Sequence, residues 1–379
     1  MFLFVIFDSK DIDFVTQFQQ TFIIFTDMNE KEIFAIGLMS GTSLDGIDLV
    51  YIKFLKNKHT SFEILHSETI AYAKEWKELL QQAISFSSEE LFHLDGTYGK
   101  FLGNIIQNFI EKYKIKNIDF IASHGHTVLH QPQKGITLQI GSGEEIAKIT
   151  KQKVVCDFRT QDVALGGQGA PLVPIGDALL FPEYDFCLNL GGFSNVSFRK
   201  ENERVAFDIC PVNIVLNFYA NKIGLEYDAS GKIASEGKIN EQLLEQLNAL
   251  DFYKITPPKS LGLEWVQKEI LPLIDAYKIT ISSILSTFVE HIAMQIASVI
   301  KDSNSVLITG GGVFNSFLMQ RIEKHSNVKI KQSSDALIHY KEALIFAFLG
   351  MLKIDNQINC LKSVTGASKN HSSGVIFLP

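Results

Sequence analysis

The sequence predicts an α/β protein of two similar lobes with a cleft between them, and three observations carry that prediction. Strand–turn–strand openings occur twice, each with helices behind it, so one plan serves both halves of the chain. Three glycine-rich turns each follow an apolar strand, which lets backbone N–H groups come close to an anion. The 379 residues exceed one domain's share of roughly 150 and leave room for two or three units.

Composition narrows the function classes. Hydrophobic residues make up 46% and charged residues 20%, enough for a sizeable core, so disorder as a class is excluded. A formal net charge of -7 lacks the basic footprint of a nucleic-acid binder and argues against acidic membrane surfaces. Cys156, Cys187, Cys210 and Cys360 are scattered, with no C-x-x-C pair. They read as small buried residues in a reducing cytoplasm and not as a disulfide framework or zinc ribbon. Residues 1–30 are expected to form an extension outside the core. Their apolar start, Met1 to Phe7, is short of membrane length and runs into Asp8, and Met28 offers a second start. No later apolar run is expected to span a membrane.

The elements follow in order. Ile33 to Met39 reads as a buried strand, Ser40 to Gly46 as a turn, Ile47 to Phe54 as the returning strand and Ser61 to Tyr72 as a third. Helices are expected over 74–84 and 88–113, strands over 118–123 and 136–140, a helix over 144–151 and a strand over 153–156. After the Gly- and Pro-bearing stretch 165–176 come strands Phe186 to Leu190, Ser194 to Phe198 and Arg204 to Asp208. A helix over 212–223 stops at Gly224, and a helix over 282–301 carries Leu285, Phe288, Ile292, Ile296 and Val299 on one face. Strand Ser305 to Thr309 meets Gly310-Gly311-Gly312, and a helix over 341–352 follows. The lobes are expected at 31–182 plus 353–379 and at 183–352.

The glycine turns are the phosphate-handling candidates: Gly41, Thr42, Ser43, Leu44, Asp45, Gly46, Ile47 and Asp48; then Gly191 and Gly192; then Gly310, Gly311, Gly312 and Asn315. Asp45 and Asp48 are candidates for holding Mg²⁺ through water. One such turn is usually only a turn, but three at matching places argue for a nucleotide. No G-x-x-x-x-G-K-[ST] run is present, so this is not a P-loop enzyme. Asp157 ends the apolar run Val154-Val155-Cys156, a position that suits both a helix cap and a general base. His124, His126 and His130 lack a carboxylate or cysteine nearby in sequence to complete a metal shell, and hydrogen bonding is the better reading.

The runs Gly37 to Asp48, Ser123-His124-Gly125-His126-Thr127, Thr137 to Gly141, Asp157-Phe158-Arg159, Gly166 to Pro174 and Lys341-Glu342-Ala343-Leu344 resemble the bacterial anhydro-N-acetylmuramic acid kinases. The resemblance covers Ile33 to Phe377. It implies the two-lobed actin-like ATPase fold, related to ribonuclease H, with ATP and Mg²⁺ held in the cleft between lobes. It also implies that Asp157 activates water against the anomeric carbon of 1,6-anhydro-N-acetylmuramic acid while the freed O6 takes the γ-phosphoryl of ATP. N-acetylmuramic acid 6-phosphate and ADP would result, as in recycling of cell-wall peptidoglycan sugars. His126, Thr127, Arg159, Gln168, Asn213 and Glu342 become the substrate candidates. Surface or capping roles stay open for Gln168, Asn213 and Glu342. The chain departs from the family pattern at His126, usually Gln, at Leu129 or Gln131, where a basic residue is usual, and at Ile209-Cys210-Pro211-Val212-Asn213. Two other readings keep the cradle: a kinase for an ordinary sugar hydroxyl, and an ATP-binding scaffold or sensor that needs no base. The expected partner is a small sugar, with no nucleic acid or membrane, and a homodimer is compatible with the sequence.

Overall fold

The first apolar runs form an antiparallel meander of β1 (Glu32–Ser40), β2 (Ile47–Leu55) and β3 (Lys58–Ile70), folded at the first glycine turn. The computed structural model describes residues 31–41, 44–56, 58–301, 303–330 and 333–379, so the expected extension at 1–30 and the hydroxyls of Thr42 and Ser43 lie outside the described residues. Two helices come next, α1 (Lys74–Gln82) and α2 (Ser88–Lys112). Ser87 starts α2 through a reciprocal capping box with Glu90, as Ser-x-x-Glu before an apolar run requires. The chain then forms β4 (Phe120–Ser123), the hairpin of β5 (His126–Gln131) and β6 (Ile136–Ile140), α3 (Gly143–Thr150) and β7 (Val154–Cys156). Short helices α4 (Thr160–Ala164) and α5 (Val173–Leu180) lead to the second half.

There β8 (Phe186–Leu190), β9 (Phe193–Lys200) and β10 (Glu203–Pro211) make a second meander. Helices α6 (Asn213–Asn221), α7 (Lys232–Glu236), α8 (Glu241–Ala249) and α9 (Ile281–Ile300) follow, then β11 (Val306–Thr309) and α10 (Ser316–Ser326). Helix α11 (Asp335–Ile354), helix α12 (Lys362–Thr365) and β12 (Val375–Phe377) complete the chain.

The strand orders are β12-β7-β4-β1-β2-β3 and β10-β9-β8-β11. In each sheet a meander is extended by a strand parallel to the meander's first member, β4 beside β1 and β11 beside β8. That order, used twice, is the two-lobed actin-like arrangement. The central strands are buried on both faces, which explains their near-continuous apolar runs. Helix α9 buries its apolar face against the second sheet, with Leu285, Phe288, Ile292 and Ile296 all at 1% exposure or less. By length and composition α9 could cross a membrane, contrary to the expectation that no run would, but it is a core helix with 72% of its apolar window buried.

Helix α11 begins six residues before its expected start, because the Ser334 side chain caps it by accepting the Leu337 N–H. Its residues Ala343 to Leu352 share a core with Ile33, Ala35, Val50 and Ile52. The expected lobe division at 352 therefore cuts a helix that packs on the first sheet. Glycine makes that contact possible. A Cβ at Gly37 would overlap the Ala343 carbonyl, and one at Gly350 would stand 2.8 Å from the Ala122 Cβ.

Candidate active site

The glycine turns separate into structural and open positions. At the third turn Gly310 has φ of 88°, and an added Cβ would lie 2.6 Å from Asn189 Oδ1. A Cβ at Gly312 would lie 2.8 Å from that of Leu190. Both are therefore needed to seat the turn on β8. Gly311 is exposed and a Cβ there would meet nothing nearer than Asn213 Nδ2 at 3.9 Å, so its missing side chain leaves room for a ligand. Gly192 is similarly open, with Ile214 Cβ at 3.9 Å. Main-chain bonds from Val212 and Ile214 N–H to the Gly192 carbonyl tie this turn to the start of α6. Asn213 donates from Nδ2 to the Leu190 carbonyl at 3.4 Å. Expected among the sugar contacts, it bonds the second glycine turn, and its Nδ2 is the atom nearest to a Cβ at Gly311. Asn315, expected to contact nucleotide, spends its Oδ1 on the Leu318 N–H as the N-cap of α10.

In the first turn the side chains of Leu44 and Ile47 are core members, at 7% and 0% exposure, so only their backbone can face a ligand. Gly46 is structural, since its Cβ would stand 2.6 Å from Thr69 Cγ2. Asp45 is exposed and Asp48 half-buried. Burial raises the Asp48 carboxyl, Thr69 and His339 lower it, and Asp45 raises it again. The Thr69 hydroxyl donates to Asp48 Oδ1 at 2.6 Å. Two carboxylates that repel each other, one of them accessible, fit a hydrated Mg²⁺, and the open space at Gly192 and Gly311 fits a nucleotide.

Asp157 follows β7 with φ of 55°, the left-handed region that a non-glycine residue enters only when its surroundings impose it. The imposition is visible in Phe158, which is 2% exposed, packs on Phe346 and has its carbonyl bonded by the Ser373 hydroxyl at 2.8 Å. Phe158 anchors the strand end and leaves Asp157 half-buried. Asp157 Oδ1 accepts the Thr160 N–H at 3.3 Å, so the capping reading holds for one of its oxygens.

Arg159 stitches two loops together. Its Nε donates to His124 Nε2 at 3.1 Å, and Nη1 donates to the Gly169 carbonyl at 2.6 Å. It therefore joins the His124-Gly125-His126 turn to the Gly166–Pro174 loop. Among the described residues it makes no ion pair, and burial lowers its guanidinium to about 10. Burial and Arg159 hold the His124 ring well below its usual range, so it stays neutral. His124 Nδ1 is 2.8 Å from the Gly125 carbonyl, which assigns the proton to Nδ1 and the lone pair to Arg159. His126 is 4% exposed, its Nδ1 has no partner among the described residues, and burial lowers its ring to about 4. A neutral, unpartnered imidazole nitrogen suits a sugar hydroxyl. Thr127 receives Gln139 Nε2 at 3.4 Å, and exposed Gln168 receives Gln133 Nε2 at 3.4 Å.

Glu342 reaches this region from α11. Burial raises its carboxyl, with Lys341 and Arg159 lowering it and Asp48 and Asp177 raising it. Its neighbour Lys341 forms a buried ion pair with Asp177 at 3.1 Å, each side chain 4% exposed. Asp177 also accepts the Ser197 hydroxyl, which in turn accepts Arg204 Nη2 at 2.7 Å. Asp177 escaped the sequence reading, although an acidic residue inside the apolar Val173–Leu180 run signals a buried partner.

The sequence profile of the anhydro-N-acetylmuramic acid kinase family matches residues 33–379. An anhydro-N-acetylmuramic acid kinase of Crocosphaera subtropica is 32% identical over 382 residues, covering 92% of this chain and 99% of that protein. That of Haemophilus influenzae is also 32% identical, over 92% and 99%, and that of Mannheimia succiniciproducens 34%, over 90% and 98%. Among solved structures, component A of (R)-2-hydroxyglutaryl-CoA dehydratase from Acidaminococcus fermentans matches 83% of this chain and 96% of its own, with TM-score 0.44 and 14% identity.

Proposed function

This chain belongs to the anhydro-N-acetylmuramic acid kinase family, and from that membership we propose which of its residues carry the reaction. It is a kinase of a small sugar: it opens 1,6-anhydro-N-acetylmuramic acid with water and phosphorylates O6. The nucleotide supplies the γ-phosphoryl group, and Mg²⁺ supplies counter-charge for it.

The observation that carries the assignment is Asp157, a carboxylate held by its surroundings at a strand end in the left-handed region, a strained conformation of the kind that clusters at functional sites. Asp157 takes a proton from the water that adds to the anomeric carbon, and the bond from that carbon to O6 breaks. O6 then bonds the γ-phosphorus as the bond to the leaving ADP oxygen breaks, and the net proton passes to solvent. Backbone N–H groups around Gly41, Gly191 and Gly192 would receive the phosphates, Gly311 would leave space for the adenosine, and Asp45 with Asp48 would hold the metal through water. His126, Arg159 and Glu342 line the sugar side: one neutral acceptor or donor, one cation and one carboxyl raised by burial. Gln168 is exposed and Thr127 half-buried, and the family pattern assigns both to the sugar's edge. Four buried free cysteines, with Cys156 and Cys187 pushed up to about 12 by burial, suit a reducing cytoplasm.

The test compares phosphoryl transfer from ATP to the anhydro sugar, to N-acetylmuramic acid and to N-acetylglucosamine, in water labelled with heavy oxygen. Label is expected at the anomeric carbon of the anhydro-sugar product. Label in the transferred phosphate would overturn the ring-opening step, and equal rates on the three sugars would overturn the substrate.

A further inference from the structure

Behind the Gly166–Pro174 loop, Asp162, Cys360 and His371 converge on one buried point. Their exposures are 0%, 1% and 5%. Asp162 comes from α4, while Cys360 and His371 are paired across an isolated antiparallel bridge near the carboxyl terminus. Asp162 Oδ1 lies 3.1 Å from Cys360 Sγ and 3.6 Å from His371 Nε2, and the three ligand atoms all lie within 4.8 Å of one another. Bonds of about 2.0–2.3 Å to a tetrahedral zinc ion separate its ligands by roughly 3.3–3.8 Å, so these side chains close on such an ion with small rotations.

The second observation is the histidine. His371 Nδ1 lies 3.2 Å from the Lys369 carbonyl, the outer contact that fixes the tautomer of a ligating imidazole. Nε2 then carries its lone pair toward the cluster, and it has no hydrogen-bond partner among the described residues although it is buried. Hydrogen bonding accounts for the other two members, since the Cys360 thiol and the Thr365 hydroxyl both donate to Asp162 Oδ1. It leaves the imidazole nitrogen idle, whereas an ion occupies all three. Thiolate, imidazole and carboxylate together select a borderline-soft divalent metal and not magnesium.

We propose that Asp162, Cys360 and His371 bind one zinc-class divalent ion, with the Cys360 proton released on binding. This ion is separate from the magnesium of the cleft. It staples the segment 360–371 beneath the glycine-rich loop, whose Gly169 N–H donates to Asp162 Oδ2 at 2.7 Å and whose Gln168 N–H donates to the Thr365 carbonyl at 2.8 Å.

The full chain, purified without chelator after growth in zinc, is expected to carry about one zinc ion by elemental analysis. Replacement by Co²⁺ is expected to give tetrahedral visible bands with a thiolate charge-transfer band in the near ultraviolet. Cys360→Ser and His371→Ala should each lower zinc content at least about tenfold, while Cys156→Ser keeps it. If either variant fails to fold by circular dichroism, the cobalt spectrum and a lowered melting temperature after chelation of the unaltered chain decide. Under about a tenth of an ion after zinc reconstitution, a cobalt spectrum without the sulfur band, or retained zinc in both folded variants would overturn the proposal.

Discussion

Asp157 and Glu342 are carboxylates with different surroundings, and those surroundings set different tests. Asp157→Asn keeps the shape and removes the base. Turnover is expected to fall at least about a hundredfold while ATP binding stays within about threefold, checked by steady-state kinetics and calorimetry. Retained turnover would move the base to another residue. Burial raises Glu342, so the folded state prefers it protonated and charging it costs stability. That cost is absent below the ordinary pKa of 4.5 and grows as pH rises through the raised value. Glu342→Gln should therefore melt higher than the parent at pH 7.5, with the difference vanishing near pH 4, and should raise the sugar KM. A lower melting temperature at pH 7.5 would show that the ionised form is the stabilising one. The strand-end position of Asp157 was legible because three apolar strand residues end on it. The bond from Asn213 to the Leu190 carbonyl was not, because position along the chain does not say which turn a side chain packs on.

The element that divides most sharply is the Gly310-Gly311-Gly312 turn between β11 and α10, where neighbouring glycines serve opposite ends. Gly311→Val should fold normally and lose nucleotide affinity about tenfold or more, since its Cβ enters open space. Gly312→Val presses on Leu190 and should lose stability by about 1–3 kcal/mol, the scale of overpacking. Calorimetry with ATP analogues and chemical denaturation separate the two, and unchanged affinity in folded Gly311→Val would take that turn out of the site. Strands beside the glycine turns were readable from their apolar runs, and β6 and β8 fall on their expected bounds. Strand β5 was not read, because His126-Thr127-Val128-Leu129-His130-Gln131 mixes polar and apolar residues and shifts register between Thr127 and Leu129. Helices α7, α8 and α10 were also missed, being short and placed by packing against α9 more than by a strong period of their own.

At the scale of the molecule, buried neutral imidazoles govern acid stability. Burial lowers His126 to about 4 and His291 to about 3, against an ordinary 6.5. The unfolded chain takes up these protons first, so stability is lost as pH falls from about 6.5 toward 4. His126→Gln should narrow the drop in melting temperature between pH 7 and pH 4.5, and an undiminished drop would assign it to other groups. The two lobes are also expected to close on ligand, giving a smaller radius of gyration in scattering with an ATP analogue and sugar together. An unchanged curve would count against closure. The doubling of the strand plan was legible from paired hairpins, but the bond between the halves was not. Asp177 lies on α5, through which the chain leaves the first sheet, and Lys341 lies on α11, through which it returns. Their buried ion pair pins both crossings together at one spot, and Asp177→Ala, which strands the lysine, should cost about 3–5 kcal/mol in denaturant titration. A plate bolted to its neighbour at two distant points can shear or slide. One bolted where both straps cross resists that shear at the crossing, and a swing about that point is the motion to expect.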